Sequence, residues 1–159
     1  MRPEEIKPDT GLCTILGYNA QTGYMRKYFN KLMKLNGLNA TAIALNIMDE
    51  HFDFTMSSVG QSKVDKMMIE KEFSKKVLQY CDGLNDCAKR EGQVDFVEVK
   101  AGKVQGYCLI DEARTLFDTP QFLDDNILFA AKIMLLANRW FNAKIDVDMI
   151  PLLIGDNDE

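Results

Sequence analysis

Histidine is nearly missing from this sequence: His51 is the only one among 159 residues. A Ser-His-Asp or Cys-His nucleophile system would have to be built on that single imidazole. It lies in Met48-Asp49-Glu50-His51, which has no apolar pattern around it and reads as a surface connection. Cysteine is sparse as well, and the four present, Cys13, Cys81, Cys87 and Cys108, form no C-x-x-C pair. Zinc sites use paired ligands at closer spacing, so these cysteines read as buried packing thiols and no metal is expected. The ten glycines include no G-x-G-x-x-G, so the phosphate-cradling turn of a dinucleotide site has no candidate. A basic excess is missing too. Lys and Arg number 19 against 24 Asp and Glu, a net charge of −5, and the pI is near 5.0; this excludes a general attraction to nucleic acid or anionic membrane. The longest apolar run, Ile127–Ala137, contains Lys132 and is about half a membrane span. Met1-Arg2-Pro3-Glu4-Glu5 lacks the apolar core of a signal peptide, and a cytoplasmic location is expected.

What is there is the composition of one soluble globular domain, 47% hydrophobic and 27% charged. A chain of this length hides roughly 68–70% of its unfolded surface and needs no staple. Residues 1–10, with two prolines and five charges, read as a flexible N-terminal arm, residues 11–154 as a single domain and residues 155–159 as an acidic tail. Leu12–Leu16, ending in Gly17, and Ala40–Ile47 read as buried strands. Between them Met25, Tyr28, Phe29, Leu32, Met33 and Leu35 fall at helical spacing, with Gly37 as a stop. Phe52–Val59 reads as a third strand, followed by an amphipathic helix over Lys63–Gly83 on Val64, Met67, Met68, Phe73, Val77, Leu78 and Cys81. Val94–Leu109 predicts a hairpin turning at Lys100-Ala101-Gly102-Lys103. Asp124 or Asp125 caps a last helix through Phe141, apolar on most sides and therefore buried in the core or facing a partner. Alternating strands and helices with a hairpin define an α/β fold with an antiparallel portion in its sheet.

Three segments carry a more specific signal. Gly17–Ile47 runs GYNAQTGYMRKYFNKLMKLNGLNATAIALNI, Gly92-Gln93-Val94-Asp95-Phe96-Val97 is followed by Gly102-Lys103-Val104-Gln105-Gly106-Tyr107, and Trp140-Phe141-Asn142-Ala143-Lys144-Ile145-Asp146-Val147-Asp148-Met149 closes the last helix. In this order they resemble shikimate dehydrogenase: its opening strand, loop and helix, its G-A-V-N-T-V hairpin with the G-K-hydrophobic-x-G-Y return, and its W-T-G-x-x-P-D-V-x-x-M segment. The resemblance covers about two thirds of the chain. It implies the family's substrate-binding domain, a three-layer sandwich around a mixed, mostly parallel sheet. In the family the NADP-binding domain lies between hairpin and last helices; here only Asp111–Asn126 separates them, whereas one strand-helix-strand unit takes about 30 residues or more. NADP is not expected in this chain.

Residue by residue, the resemblance places Gly23 and Met25 where the family's S-x-S serines hold the substrate carboxylate. The T-I-P-H-K motif, whose lysine belongs to the catalytic Lys-Asp pair, aligns through Phe52, Asp53 and Thr55 and puts Val59 at the lysine; a shifted register offers Lys63 or Lys71 instead. The partner aspartate aligns with Ile110, one residue before Asp111, and in a strand that slip points to the other face. No catalytic residue is therefore assigned beyond the weak candidates Lys63, Lys71 and Asp111. The expected ligand-binding set is Asn19, Gly23, Met25, Asp53, Thr55, Asp95, Tyr107 and Lys132. Asp53 and Asp95 stand where the family has asparagine, and at an effective dielectric of about 20 such a carboxylate opposes a carboxylate ligand by roughly 3 kcal/mol. The leading expectation is a catalytically degenerate, stand-alone substrate-binding domain that binds a small polyhydroxylated molecule or regulates through it. Two alternatives stay open: a homodimeric interaction protein using the last helix or a sheet edge, and an enzyme half completed by a separate NADP-binding subunit.

Overall fold

A computed structural model describes residues 8–118 and 124–155. Most of the expected N-terminal arm and the acidic residues after Gly155 lie outside the described residues. Thr10, assigned to the arm, is instead buried, and its hydroxyl donates to Asn39 Oδ1 at 3.0 Å. Six strands, β1 (Gly11–Gly17), β2 (Ala40–Asn46), β3 (Lys66–Ile69), β4 (Gly83–Leu84), β5 (Phe96–Lys100) and β6 (Lys103–Tyr107), alternate with helices α1 (Tyr24–Leu35), α2 (Asp49–Ser57), α3 (Asp86–Glu91), α4 (Ile110–Thr115), α5 (Asp125–Phe141) and α6 (Ile150–Ile154). The described residues fall into two compact units.

The first unit, Leu12–Arg26 with Ala42–Cys108, carries nearly all of one sheet in the order β2-β1-β3-β5-β6-β4. Gly11 N donates to Asn39 O and Ile47 N to Gly17 O, both at 2.9 Å, so β1 and β2 run the same way. β1 is parallel to β3 and β6 to β4, while β5 is antiparallel to both β3 and β6. The sheet is thus mixed and mostly parallel, as expected. The hairpin turns where expected, with Ala101 and Gly102 at φ 51° and 76°, the left-handed pair that suits a two-residue connection.

Two expectations fail in this unit. Phe52–Val59 is not a strand: residues 49–57 are α2, where Phe52 and Met56 are buried four residues apart while Phe54 is 77% exposed. The alternation that suggested a strand is broken by that exposure, and Asp49 and Glu50 in the first turn favour the helix dipole. Lys63–Gly83 is not a helix either, but β3, two 3-10 turns (Lys71–Phe73 and Lys76–Tyr80) and β4. Met67, Met68 and Ile69 are all buried because β3 is paired on both edges and covered on both faces. A strand covered on both faces shows a continuous apolar run instead of alternation, which is why helical spacing fitted it. Three helices went unseen: α3, α4 and α6. α3 is capped by Asn85, whose Oδ1 accepts from Ala88 N at 2.9 Å, and ends at Gly92. α4 occupies what had read as a linker, so Ile110 and Asp111 are helical and the strand-face argument for Asp111 does not apply.

The second unit takes residues 8–11, Lys27–Thr41, 109–118 and 124–155. Tyr28 and Phe29 of α1 meet Phe129 and Phe141 of α5 at ring-centroid distances of 5.7 and 5.8 Å. Leu32 and Met33 complete the apolar face, whereas Leu35, expected on it, is 46% exposed. Asp124 caps α5, accepting from Ile127 N at 2.8 Å, and Ala130, Ala131, Ile133, Met134, Leu136 and Ala137 are buried. Cys13, Cys87 and Cys108 are buried as expected; Cys81 is half-buried, and burial pushes its thiol up to about 11.

Asn85 does more than cap α3. Its Oδ1 also accepts from Cys108 N at 3.1 Å while its Nδ2 donates to Cys108 O at 3.0 Å, so one side-chain amide continues the backbone pairing beyond β6. Loss of a cap costs about 1 kcal/mol and each further bond about as much. Asn85→Ala is expected to lower stability by about 2–3 kcal/mol and Asn85→Asp, which keeps the acceptor alone, by about half of that; urea denaturation measures both.

Candidate functional site

In an α/β sheet the backbone leaves at the carboxyl ends of parallel strands, and ligands bind in the space where successive connections diverge. The sheet unit has such an edge. Glu70 N donates to Leu16 O at 3.0 Å, Ile69 N to Asp95 O at 3.0 Å and Asp95 N to Tyr107 O at 2.7 Å. This ladder brings the exits of β1, β3 and β6 and the start of β5 onto one line. The loop after β1, with its 3-10 turn Ala20–Thr22, is pinned beside it by Gln21 N donating to Asn46 Oδ1 at 2.9 Å.

Two carboxylates from the exit of β3 hold this loop. A Cβ on Gly17 would lie 2.5 Å from Glu70 Cγ, and one on Gly23 would lie 2.7 Å from Glu70 Oε2, so the Glu70 side chain occupies the space that side chains at 17 and 23 would fill. Glu72 accepts from Tyr18 N at 2.7 Å. Burial first, and the Glu72 charge second, push the Glu70 carboxyl up to about 7.

Of the expected site residues, the structure brings Asn19, Gly23, Asp95 and Tyr107 to this edge. The Tyr107 ring stacks on Phe96 with centroids 4.8 Å apart. Met25 is buried and lines no open surface. Asp53 and Thr55 sit on α2 and not on a strand. Lys63 is exposed in the connection before β3 and Lys71 in the turn after it, while Asp111 on α4 and Lys132 on α5 belong to the other unit. His51 is exposed on α2. Among the described residues no three His, Cys, Asp or Glu side chains are placed to hold a metal, and no helix is long and apolar enough to cross a membrane. Sequence reasoning missed Glu70 and Glu72; their signal was the charged triplet Glu70-Lys71-Glu72 directly after Met67-Met68-Ile69, the pattern of a buried strand meeting solvent.

It also missed a polar cluster under the loop. Tyr80 donates to Asp53 Oδ1 at 2.6 Å, Lys76 Nζ lies 3.2 Å from Asp53 Oδ2, and Tyr18 donates to Asp49 Oδ1 at 2.6 Å. Beneath them Phe52 stacks on Phe73 at 4.2 Å, and the Tyr18 ring meets Phe73 edge-on at 5.0 Å. The Tyr80 hydrogen bond, with help from Lys76, holds Asp53 below the usual carboxylate range, and the same bond raises the Tyr80 phenol. Asp53→Asn is expected to bring the Tyr80 midpoint back towards about 10, leaving Tyr18 unchanged; tyrosine Cζ chemical shifts followed with pH measure this.

No family model matches the chain. The shikimate dehydrogenase (NADP(+)) of Aquifex aeolicus is 26% identical over 102 residues, spanning 64% of this chain and 38% of that protein. The crystal structure of the A. aeolicus enzyme superposes with a TM-score of 0.60 at 24% identity, over 74% of this chain and 44% of that one. A ligand-free 5-ketofructose reductase of Gluconobacter gives a TM-score of 0.59 at 13% identity, over 81% of this chain and 51% of that one. The chain therefore spans well under half the length of the curated relative. In sequence and in fold the chain is thus similar to part of shikimate dehydrogenases, over about 64–80% of its own length.

Proposed function

We propose that this chain is a small-molecule binding module built on the substrate-domain scaffold, without dehydrogenase chemistry of its own. The observation that carries this reading is the carboxyl edge of the sheet, where Asn19, Gly23, Asp95 and Tyr107 meet Glu70 and Glu72 at the place an α/β sheet presents to ligands. Its charge speaks for an uncharged polyhydroxylated ligand over a carboxylate, since Glu72 and Asp95, joined by Glu70 above about pH 7, would oppose an added anion. A dinucleotide is not expected at this edge either. A pyrophosphate needs N–H donors at a glycine turn, and the loop after β1 has the Glu70 carboxyl against Gly23 instead. Hydride removal from a carbinol also needs a positioned base, and the lysine candidates Lys63 and Lys71 are both exposed side chains.

A second reading, a homodimeric interaction protein, draws on the edge strand β2. It carries no charge or proline, and Ile43 and Leu45 are 39% and 40% exposed, whereas free edges are ordinarily guarded. Thermal unfolding with shikimate, methyl shikimate, quinate, dehydroshikimate and NADP separates the two readings. At about 100 times its dissociation constant a ligand stabilises by roughly 2.7 kcal/mol, a midpoint rise of about 5–10 °C at this chain length. The expected outcome is such a rise with methyl shikimate and none with NADP or free shikimate. No rise with any of them, together with a dimer mass in solution, would replace the ligand reading by the second.

A further inference from the structure

The end of the sheet opposite the carboxyl edge carries the other sign. β3 begins there with Lys66, and β5 ends there at Lys100, where the hairpin turns and returns with Lys103. Lys100 and Lys103 are cross-strand partners, and both are exposed. Like charges directly opposite one another weaken a hairpin. The segment before β3 adds a third exposed lysine, Lys63. This segment is braced against the hairpin by its backbone: Val99 N donates to Asp65 O at 3.0 Å, and Gly60 lies so close to the turn that a Cβ on it would stand 2.8 Å from the Gly102 carbonyl oxygen. The Ser62 hydroxyl fixes the stretch between, donating to Val59 O at 3.0 Å and accepting from Val64 N at 3.2 Å. The carboxylates at this end are engaged elsewhere. Asp65 pairs with Lys66 at 3.1 Å, Asp82 accepts from Val104 N at 2.8 Å, and Glu98, the cross-strand partner of Lys66, is buried. Among the described residues no carboxylate lies within ion-pair distance of Lys63, Lys100 or Lys103. In a chain with 24 acids against 19 bases, three ammonium groups thus stand at one end without a counter-ion.

We propose that this end of the sheet is a docking surface for an acidic peptide segment of a partner protein, with Lys100 and Lys103 at its centre and Lys63 at its rim. Charge complementarity selects the partner: carboxylates of an approaching segment supply the counter-ions that the chain itself does not, and they relieve the repulsion between Lys100 and Lys103. A peptide is favoured over nucleic acid. Lysine is a point charge on a flexible stem and accepts carboxylates at varied spacing, whereas phosphate recognition favours the planar fork of arginine and single-stranded bases stack on aromatic rings. Residues 58–66 and 99–104 contain neither arginine nor an aromatic residue. The surface lies at the opposite end of β3 from Glu70 and Glu72, so its occupation is independent of the ligand reading above.

The experiment titrates the full chain with a capped hexaglutamate peptide and follows backbone amide chemical shifts at about 0.01 M and about 0.1 M salt, where the Debye length is roughly 30 and 10 Å. Saturable shifts centred on residues 60–66 and 99–104 are expected, with binding about tenfold weaker at the higher salt. Lys100→Glu sets a carboxylate opposite Lys103, a pairing that favours the hairpin, so the variant keeps its fold and is expected to weaken the peptide about tenfold. Lys34→Glu makes the same change of charge at an exposed position on α1 and is expected to leave binding unchanged. Absence of binding, shifts centred elsewhere, no loss in Lys100→Glu or an equal loss in Lys34→Glu would overturn the docking surface. An oligothymidylate of equal charge that binds as tightly as the peptide would overturn the choice of partner.

Discussion

The rest of the sheet unit depends on β3 being paired on both edges and covered on both faces. Only four residues long, it joins the parallel pair β1–β2 to the antiparallel hairpin β5–β6, through Thr14–Leu16 on one side and Phe96–Glu98 on the other. Backbone groups buried this deeply must be paired, so Met67, Met68 and Ile69 are committed to a single register by hydrogen bonds as much as by their apolar side chains. The segment leaving the strand is thereby fixed in space: Glu70 and Glu72 emerge beside the exit of β1, and Phe73 turns back under α2 to stack on Phe52.

That placement explains the character of the functional edge. Strands ending together leave a strip where the chain must turn toward water, and polar side chains collect there. In this protein carboxylates are frequent in the strip and in the α2 cluster beside its loop, and they are used structurally before any ligand is considered: Glu72 accepts from a backbone N–H, Asp53 from Tyr80 and Asp49 from Tyr18. Glu70 alone is pressed against two glycines with its charge disfavoured. A fold shared with part of shikimate dehydrogenases thus carries here an acidic edge, and function follows the site and not the fold.

The hairpin, β1, β2, α1 and the Asp124 cap of α5 were legible in the sequence because each is specified locally. A left-handed turn at Ala101-Gly102, an apolar stripe at helical spacing and an aspartate three residues before the N–H it accepts from are signals contained within a few residues. The errors at 52–59 and 63–83 have the opposite origin. Phe52, Phe54 and Met56 satisfy both a strand and a helix pattern until the 77% exposure of Phe54 decides between them, and that exposure is a property of the assembled protein. The motif alignment inherited this error, because it placed on a strand the residues Asp53 and Thr55 that lie on α2.

Composition and spacing offered no candidate for a dinucleotide turn or a histidine-centred nucleophile system and indicated an α/β chain, while three matched segments carried its resemblance to a substrate-binding domain. They could not show which residues meet at the edge, because Glu70 is dozens of positions from Gly17 and Gly23 and becomes their neighbour only when β1 and β3 pair. Local physics writes turns, caps and amphipathic faces into adjacent residues; the chemistry of an edge belongs to residues that long-range strand pairing brings together, and pairing is decided by the burial of the whole sheet.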